Sequence, residues 1–375
     1  MLSRRQALKA SAAAVAAAAL AACGAPARQQ VDPQPRRNLA ASKADGRILF
    51  AKANTVDNGG KDDGIYALEN AGKVRKLLSK ADGDYAVQYP RWSPDGARIT
   101  YVRAGDHGIF SDLWIANADS TNPRRITDFQ SKIAHKNNVI SEGQYVKDSS
   151  IVAGVSWSQG GDFITFTCDK ALKDGALRPW TLEKPNEPPT PQTLHLITAT
   201  QTVSPPNNGV NFHIDNTALS PDGSTMAFVA LWVPADNFAN KQTQIYALDF
   251  GTRKVTPPLT TMPWGAYDPA FSPDGQYIAF AARPDYRVND LYIMTRDGKN
   301  QVQITTTGAA RSPVWSPDGR KLAFLGGFEG AQFNIYVMDF NPTPGTPVAA
   351  VNFGVPVKIT DEKGIDARSG LSWTA

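Results

Sequence analysis

From residue 47 to the end, apolar and polar positions alternate with period two in short runs separated by polar turns. Five runs, Ile99-Thr-Tyr101-Val, Ile164-Thr-Phe166, Met226-Ala-Phe228-Val, Ile278-Ala-Phe280-Ala and Leu322-Ala-Phe324-Leu, are rich in aromatic and β-branched residues and predict strands. Each follows one recurring phrase. Four copies are clear: Pro90-Arg-Trp92-Ser-Pro-Asp-Gly96, Ala218-Leu-Ser-Pro-Asp-Gly223, Pro269-Ala-Phe271-Ser-Pro-Asp-Gly275 and Pro313-Val-Trp315-Ser-Pro-Asp-Gly319. A fifth, Val155-Ser-Trp157-Ser-Gln-Gly-Gly161, is degenerate. Within the phrase Pro presets φ, Asp bonds nearby backbone and Gly accepts positive φ, so it predicts a hairpin turn between two strands. The aspartates are thereby committed to their turns rather than to a metal.

A third strand is expected at Asp112-Leu-Trp114-Ile, Thr193-Leu-His195-Leu, Gln244-Ile-Tyr246-Ala, Asp290-Leu-Tyr292-Ile and Asn334-Ile-Tyr336-Val. Short fourth strands follow, containing Arg125-Ile-Thr127, Lys254-Val-Thr256, Gln303-Ile-Thr305 or Lys358-Ile-Thr360. Four antiparallel strands repeating every 40–45 residues or so predict propeller blades. The signatures give five blades. A sixth is split: Arg47-Ile-Leu-Phe50 and Ile65-Tyr66-Ala-Leu68 supply its second and third strands, and Ser369-Gly-Leu-Ser-Trp373 supplies its first. The expected fold is all-β, a six-bladed propeller over residues 47–375 closed by its C-terminal strand. The Trp/Phe-Ser-Pro-Asp-Gly phrase with its downstream Asp/Asn-Ile/Leu-Tyr/Trp strand resembles the TolB-like, WD-related repeat family.

The signature serines fall at 93, 158, 220, 272 and 316, so the second to fourth blades carry insertions. The largest are residues 130–153 and 170–192, with smaller ones at 203–217 and 231–243. Inserted loops of a propeller commonly carry its contacts, which makes Trp180 and Trp232 candidate contact residues. The other candidate site is the channel mouth, lined by residues preceding each innermost strand. These are Tyr85 and Tyr89, Ser149 and Ser150, His213 and Asp215, Tyr267 and Asp268, Arg311, and Asp366 and Arg368. Carboxylates, guanidinium groups and aromatic rings in that ring suit a polar ligand or a peptide terminus.

The N-terminus reads as an address. Residues 1–22 join a basic start (Arg4, Arg5, Lys9) to an Ala-rich apolar run of about a dozen residues, too short to span a bilayer. Leu20-Ala21-Ala22-Cys23 resembles a lipobox, which implies a diacylglycerol on Cys23 and a lipid anchor in the membrane, on its periplasmic or cell-surface side. Ser3-Arg4-Arg5-Gln6-Ala7-Leu8-Lys9 resembles the twin-arginine export motif, with Ala7 where Phe is usual. Residues 24–46, rich in Pro, Gln, Ala and Arg, are expected to form a flexible tether from Cys23.

Composition adds little: 42% hydrophobic and 20% charged residues are ordinary for a globular chain. The net charge of +4 falls to +1 without the leader, whose three basic residues leave 36 Lys and Arg against 35 Asp and Glu. No nucleic-acid footprint follows from that balance. Hydrolase, nucleotide-binding and zinc-protease signatures are absent from the sequence, and the histidines (107, 135, 195, 213) show no metal-ligand spacing. Residues 57–64 have calcium-loop composition without its spacing and are read as a plain loop. Cys168 is read as a buried small apolar residue.

No cofactor or metal is expected, nor any catalytic residue. The resemblance implies a non-catalytic, envelope-anchored, monomeric module that binds an unidentified envelope protein or a polar ligand. It departs from TolB proper in having no room for a small α/β domain before the propeller. The alternative is an enzyme acting on saccharide, a hydrolase or lyase, using Asp215, Asp268 or Asp366 with His213 or an arginine.

Overall fold

The structure is a computed structural model. It describes residues 46–53, 60–70, 72–81, 84–105, 110–127, 152–168, 178–183, 185, 194–196, 213–232, 242–285, 288–327, 332–341, 348 and 351–375. Cys23, the whole leader and the tether except Gly46 lie outside these residues, as do most of the insertions.

The described chain forms six antiparallel sheets, the blades of a β-propeller. β1 (Arg47–Lys52), β2 (Gly64–Leu68) and β3 (Val74–Ser79) are the outer strands of blade 1. Blade 2 is β4 (Asp84–Trp92), β5 (Arg98–Gly105), β6 (Phe110–Asn117) and β7 (Arg124–Arg125). Blade 3 is β8 (Val152–Trp157), β9 (Phe163–Cys168), β10 (Arg178–Glu183) and β11 (Leu194–Leu196). Blade 4 is β12 (His213–Leu219), β13 (Thr225–Trp232), β14 (Gln242–Asp249) and β15 (Lys254–Val255). Blade 5 is β16 (Ala266–Phe271), β17 (Tyr277–Asp285), β18 (Val288–Thr295) and β19 (Val302–Gln303). Blade 6 is β20 (Ala310–Trp315), β21 (Lys321–Gly326) and β22 (Asn334–Asn341), with β23 (Asn352–Phe353) and β24 (Val357–Lys358) both pairing to β22.

The last strand, β25 (Ser372–Thr374), pairs with the first through Arg47↔Thr374, Ile48↔Trp373 and Leu49↔Ser372. The expected closure is therefore present, and it gives both termini of the sheet a partner.

The hairpin turns form as the sequence dictates. In each full signature the Ser Oγ donates to the Asp Oδ1, at 2.5 Å for Ser93, Ser220 and Ser272 and 2.6 Å for Ser316. The same Oδ1 takes the amide two residues on, at 3.0 Å in all four. The glycines that follow sit at φ between 65° and 70°, where a Cβ would be strained.

A second device recurs in blades 2, 4, 5 and 6. The first residue of the third-strand phrase accepts a hydrogen bond from a threonine near the fourth strand: Asp112 from Thr127 (2.8 Å), Gln244 from Thr260 (2.7 Å), Asp290 from Thr305 (2.9 Å) and Asn334 from Thr360 (3.0 Å). Each threonine in turn accepts the next backbone amide of the third strand, from Leu113, Ile245, Leu291 or Ile335. In blade 4 the partner is Thr260, while Thr256, expected in the fourth strand, caps Ala247 N.

The core is divided among the six gaps between neighbouring blades, each filled by its own apolar cluster. Within five blades an aromatic residue of the second strand stacks on one of the third: Phe50 on Tyr66, Tyr101 on Trp114, Phe228 on Tyr246, Phe280 on Tyr292 and Phe324 on Tyr336, with centroids 5.6–6.5 Å apart. Cys168 is buried, as expected.

Blade 3 corrects the sequence reading. Its third strand is β10, where Trp180 pairs with Phe166, and His195 lies in the fourth strand opposite Thr181. Trp180 thus occupies strand backbone within the supposed 170–192 insertion. The register of Trp180 on Phe166 outweighed the Leu-His-Leu alternation, and Pro179 is tolerated because β11 does not reach past Trp180. Likewise Trp232 ends β13, opposite Gln242, and His213–Thr217 belong to β12.

Candidate functional site

The innermost strands wall the central channel. Each of the five long ones has a register shift that inserts one extra residue: between Gln88 and Arg91, Ala153 and Ser156, Asp215 and Thr217, Tyr267 and Ala270, and Arg311 and Val314. The residue four places before each signature serine, or before its counterpart Thr374, has left-handed φ: Tyr89 (51°), Gly154 (58°), Asn216 (41°), Asp268 (52°), Ser312 (54°) and Gly370 (67°). All six blades share this left-handed position, and in the five long innermost strands it falls at the inserted residue. Four of the six residues are not glycine, and each such position costs about 1–2 kcal/mol. A bulge bends its strand and re-aims the flanking side chains.

Those side chains form a polar belt that links every neighbouring pair of blades. Asn216 Nδ2 donates to Asp268 Oδ1 at 2.6 Å. Asp268 Oδ2 accepts from Arg311 Nε and Nη2 at 3.2 Å and from Ser312 N at 3.1 Å. Ser312 Oγ lies 3.1 Å from both Asp268 Oδ2 and Ala367 O. Gln88 Nε2 and Ser369 Oγ donate to Asp366 Oδ2, at 3.2 and 2.6 Å, and Arg91 Nη1 reaches Ser369 O at 2.8 Å. Thr217 Oγ1 donates to Gly154 O (2.5 Å), and Trp157 Nε1 to Thr100 Oγ1 (3.0 Å), completing the circuit.

Below the belt, toward the signature turns, lies a cavity of about 390 Å³ to which all six blades contribute. The charged side chains on its wall are Arg91, Asp268 and Arg368. Burial pulls the Arg91 guanidinium down to about 10, against the opposing influence of Tyr89 and Asp268.

Of the residues expected at the mouth, Tyr89, Asp268, Arg311 and Asp366 lie on the belt and Arg368 on the cavity wall. Tyr267 turns aside: its hydroxyl donates to Trp264 O at 3.2 Å and the Arg283 guanidinium lies 5.6 Å from its ring centroid. His213 and Asp215 pair through backbone with Leu231 and Val229, and their side chains lie outside the described residues, as do Ser149 and Ser150. The carboxylates of Asp268 and Asp366, which the enzyme reading would use, are acceptors within the belt on both oxygens.

Sequence reasoning missed Arg91, Asn216 and Ser312. Asn216 and Ser312 could have been found by aligning every blade four residues before its serine. Arg91 stands in a column that otherwise reads Ser156, Ala218, Ala270, Val314 and Ser372, where a single arginine is conspicuous.

Residues 213–360 match the family described as TolB beta propeller domain. Among solved structures, the chain is similar to TolB from Acinetobacter baumannii, at 18% identity and a TM-score of 0.59, covering 89% of this chain and 67% of that one. It is also similar to a putative TolB from Agrobacterium tumefaciens, at 16% identity and a TM-score of 0.55, covering 86% and 90%. A third likeness, to a chain of Kuenenia stuttgartiensis hydrazine synthase, has 16% identity and a TM-score of 0.53 over 84% of this chain and 46% of the other. Identities this low speak to fold alone. No curated protein matches the chain.

Proposed function

We propose that this TolB-like β-propeller is an exported, lipid-anchored recognition module that takes a protein partner or a small polar ligand at its central channel. The observation that carries the reading is the belt. At the same depth in all six blades one residue takes left-handed φ, strained in the four that are not glycine, and Asn216, Asp268 and Ser312 among them line one cavity. Strain kept at one depth in four of the six blades, beside a channel, is the pattern expected where structure has been given up to recognition. The resemblance of the N-terminus to a lipoprotein leader supports export and anchoring through Cys23.

The test uses the full chain in its own envelope, with a photo-crosslinking residue in place of Tyr85 or Trp264. Both are more than half exposed and lie where innermost strands begin. A single crosslinked species from these positions, absent from a control at exposed Val355, is the expected result. Equal labelling from all three would overturn the channel as the recognition face. For the anchor, Cys23→Ser is expected to move the protein from the membrane fraction to the soluble one and to abolish incorporation of labelled fatty acid.

A further inference from the structure

Two guanidinium groups, those of Arg91 and Arg368, stand on the wall of the central cavity. Asp268, the sole side-chain carboxylate among the lining residues, is already engaged by Asn216, Arg311 and Ser312, with Arg311 as its ion-pair partner. Arg91 and Arg368 remain. Arg91 donates from Nη1 to two uncharged carbonyl oxygens, Pro90 O at 2.9 Å and Ser369 O at 2.8 Å. A guanidinium offers five N–H donors in a fixed fork, so most of that capacity is left over. Arg368 is exposed to the cavity, and among the described residues its guanidinium makes no hydrogen bond or ion pair; its backbone N alone is engaged, by Asp366 Oδ1. The two arginines share a wall: Arg91 Nη2 lies 3.2 Å from where a Cβ of Gly370 would be, two residues beyond Arg368. Trp92, the next lining residue, is 4% exposed and its Nε1–H has no acceptor among the described residues. Its counterparts Trp157 and Trp315 both donate to the preceding blade, at 3.0 Å.

A planar oxyanion matches the fork of a guanidinium with two parallel hydrogen bonds, and the spare donors of Arg91 and Arg368 are open to one. We propose that the central cavity binds an oxyanion, a carboxylate or phosphate group, held by Arg91 and Arg368. The inference rests on the recognition reading above and specifies the chemistry of what enters the channel. The volume of about 390 Å³ suits a small organic acid or the last residues of a peptide. Both sources present the same group.

The experiment is isothermal titration calorimetry on the full chain in chloride buffer at constant ionic strength. The probes are inorganic phosphate, citrate, and one uncharged pentapeptide with either a free or an amidated C-terminus. Saturable binding of at least one free-oxyanion probe is expected, weakened at least tenfold in Arg368→Gln and unchanged in Arg320→Gln, whose arginine lies outside this cavity. Among the described residues the side chain of Arg368 bonds to nothing, so that variant leaves the belt intact. Citrate or phosphate binding without peptide discrimination assigns a free anion. Preference for the free over the amidated peptide assigns a chain terminus. No saturable heat with any probe, or equal affinity in Arg368→Gln, overturns the proposal. If crosslinks from Tyr85 and Trp264 are lost while the anion still binds, the failure belongs to the recognition face and not to the cavity.

Discussion

Asp268 accepts hydrogen bonds from blades 4 and 6 while itself belonging to blade 5, so one carboxylate joins three sheets. Only 9% of the residue is exposed, and the side chain of Arg311 keeps 27% exposure. Asp268→Ala leaves Arg311, Asn216 and Ser312 N without their acceptor, and a loss on the order of 3 kcal/mol is expected. A urea-unfolding series would measure it, and a loss below about 0.5 kcal/mol would mean the belt is not structural. Asp290 behaves oppositely. Burial raises its carboxyl above the ordinary aspartate range, against the hydrogen bonds from Gly308 N, Thr305 Oγ1 and Thr307 N. A raised carboxyl binds its proton more readily folded than unfolded, so its contribution to stability falls as pH rises from about 4 through the raised value. Asn334 fills the matching place in blade 6 without charge. Asp290→Asn is therefore expected to gain stability relative to the parent as pH rises from 4 to 7, read as a widening difference in melting temperature.

At the scale of the element, the signature turn is the unit of construction. Ser272 Oγ donates to Asp274 and accepts Tyr277 N at 2.9 Å, so Ser272→Ala removes two bonds and is expected to cost about 1–2 kcal/mol. These elements were legible because each turn needs the same residues for the same φ angles, and that need repeats along the chain. Blade 3 was misread for the converse reason. Its turn lacks the Pro-Asp pair, and Pro179 in β10 argued against a strand that only the pairing of Trp180 with Phe166 reveals. The channel belt was half legible. Residues that bear charge, such as Asp268, Arg311, Asp366 and Arg368, stood out as polar groups ahead of a strand. Asn216 and Ser312 act through a backbone angle that leaves no mark in a single copy of the repeat. No periodicity in the sequence could show that Asp268 spends both oxygens on neighbouring blades, or that Asp366 divides its own between Gln88 of the next blade and the turn at Arg368 and Ser369.

For the whole molecule, cohesion comes from six interblade clusters in a closed circle, so the ring is only as firm as its closure. Deleting residues 370–375 removes β25 and Trp373, leaves the inner edge of β1 without its partner and strips Leu371 and Trp373 from the cluster between blades 6 and 1. Loss of the single cooperative unfolding transition, with aggregation, is expected by calorimetry; a cooperative transition within a few degrees of the parent would show the closure to be dispensable. Acid acts on the molecule through its turns. Hydrogen bonds from Ser93, Ser316 and their following amides hold Asp95 and Asp318 below the usual carboxylate range, and Arg296 with Ser220 does the same for Asp222. Carboxyls depressed in the folded state give stability that is complete above about pH 4 and is lost as pH falls through their lowered values. The expected acid transition lies below pH 4 and, for Asp95 and Asp318, shifts little with added salt, because local hydrogen bonds and not distant charges set it.

The seam between β1 and β25 also fixes how the propeller responds to a pull. The two strands are antiparallel, and Arg47 and Thr374, the residues at their free ends, face each other. Tension applied between the two ends of the chain therefore loads the pairs one after another, as in a zip, rather than all three together. Such a seam yields at low force, whereas tension along β1 from a load held elsewhere on the ring would meet every rung at once. A propeller tethered on its N-terminal side and gripped at its channel would experience the second kind of load, and its weakest joint would stay shut.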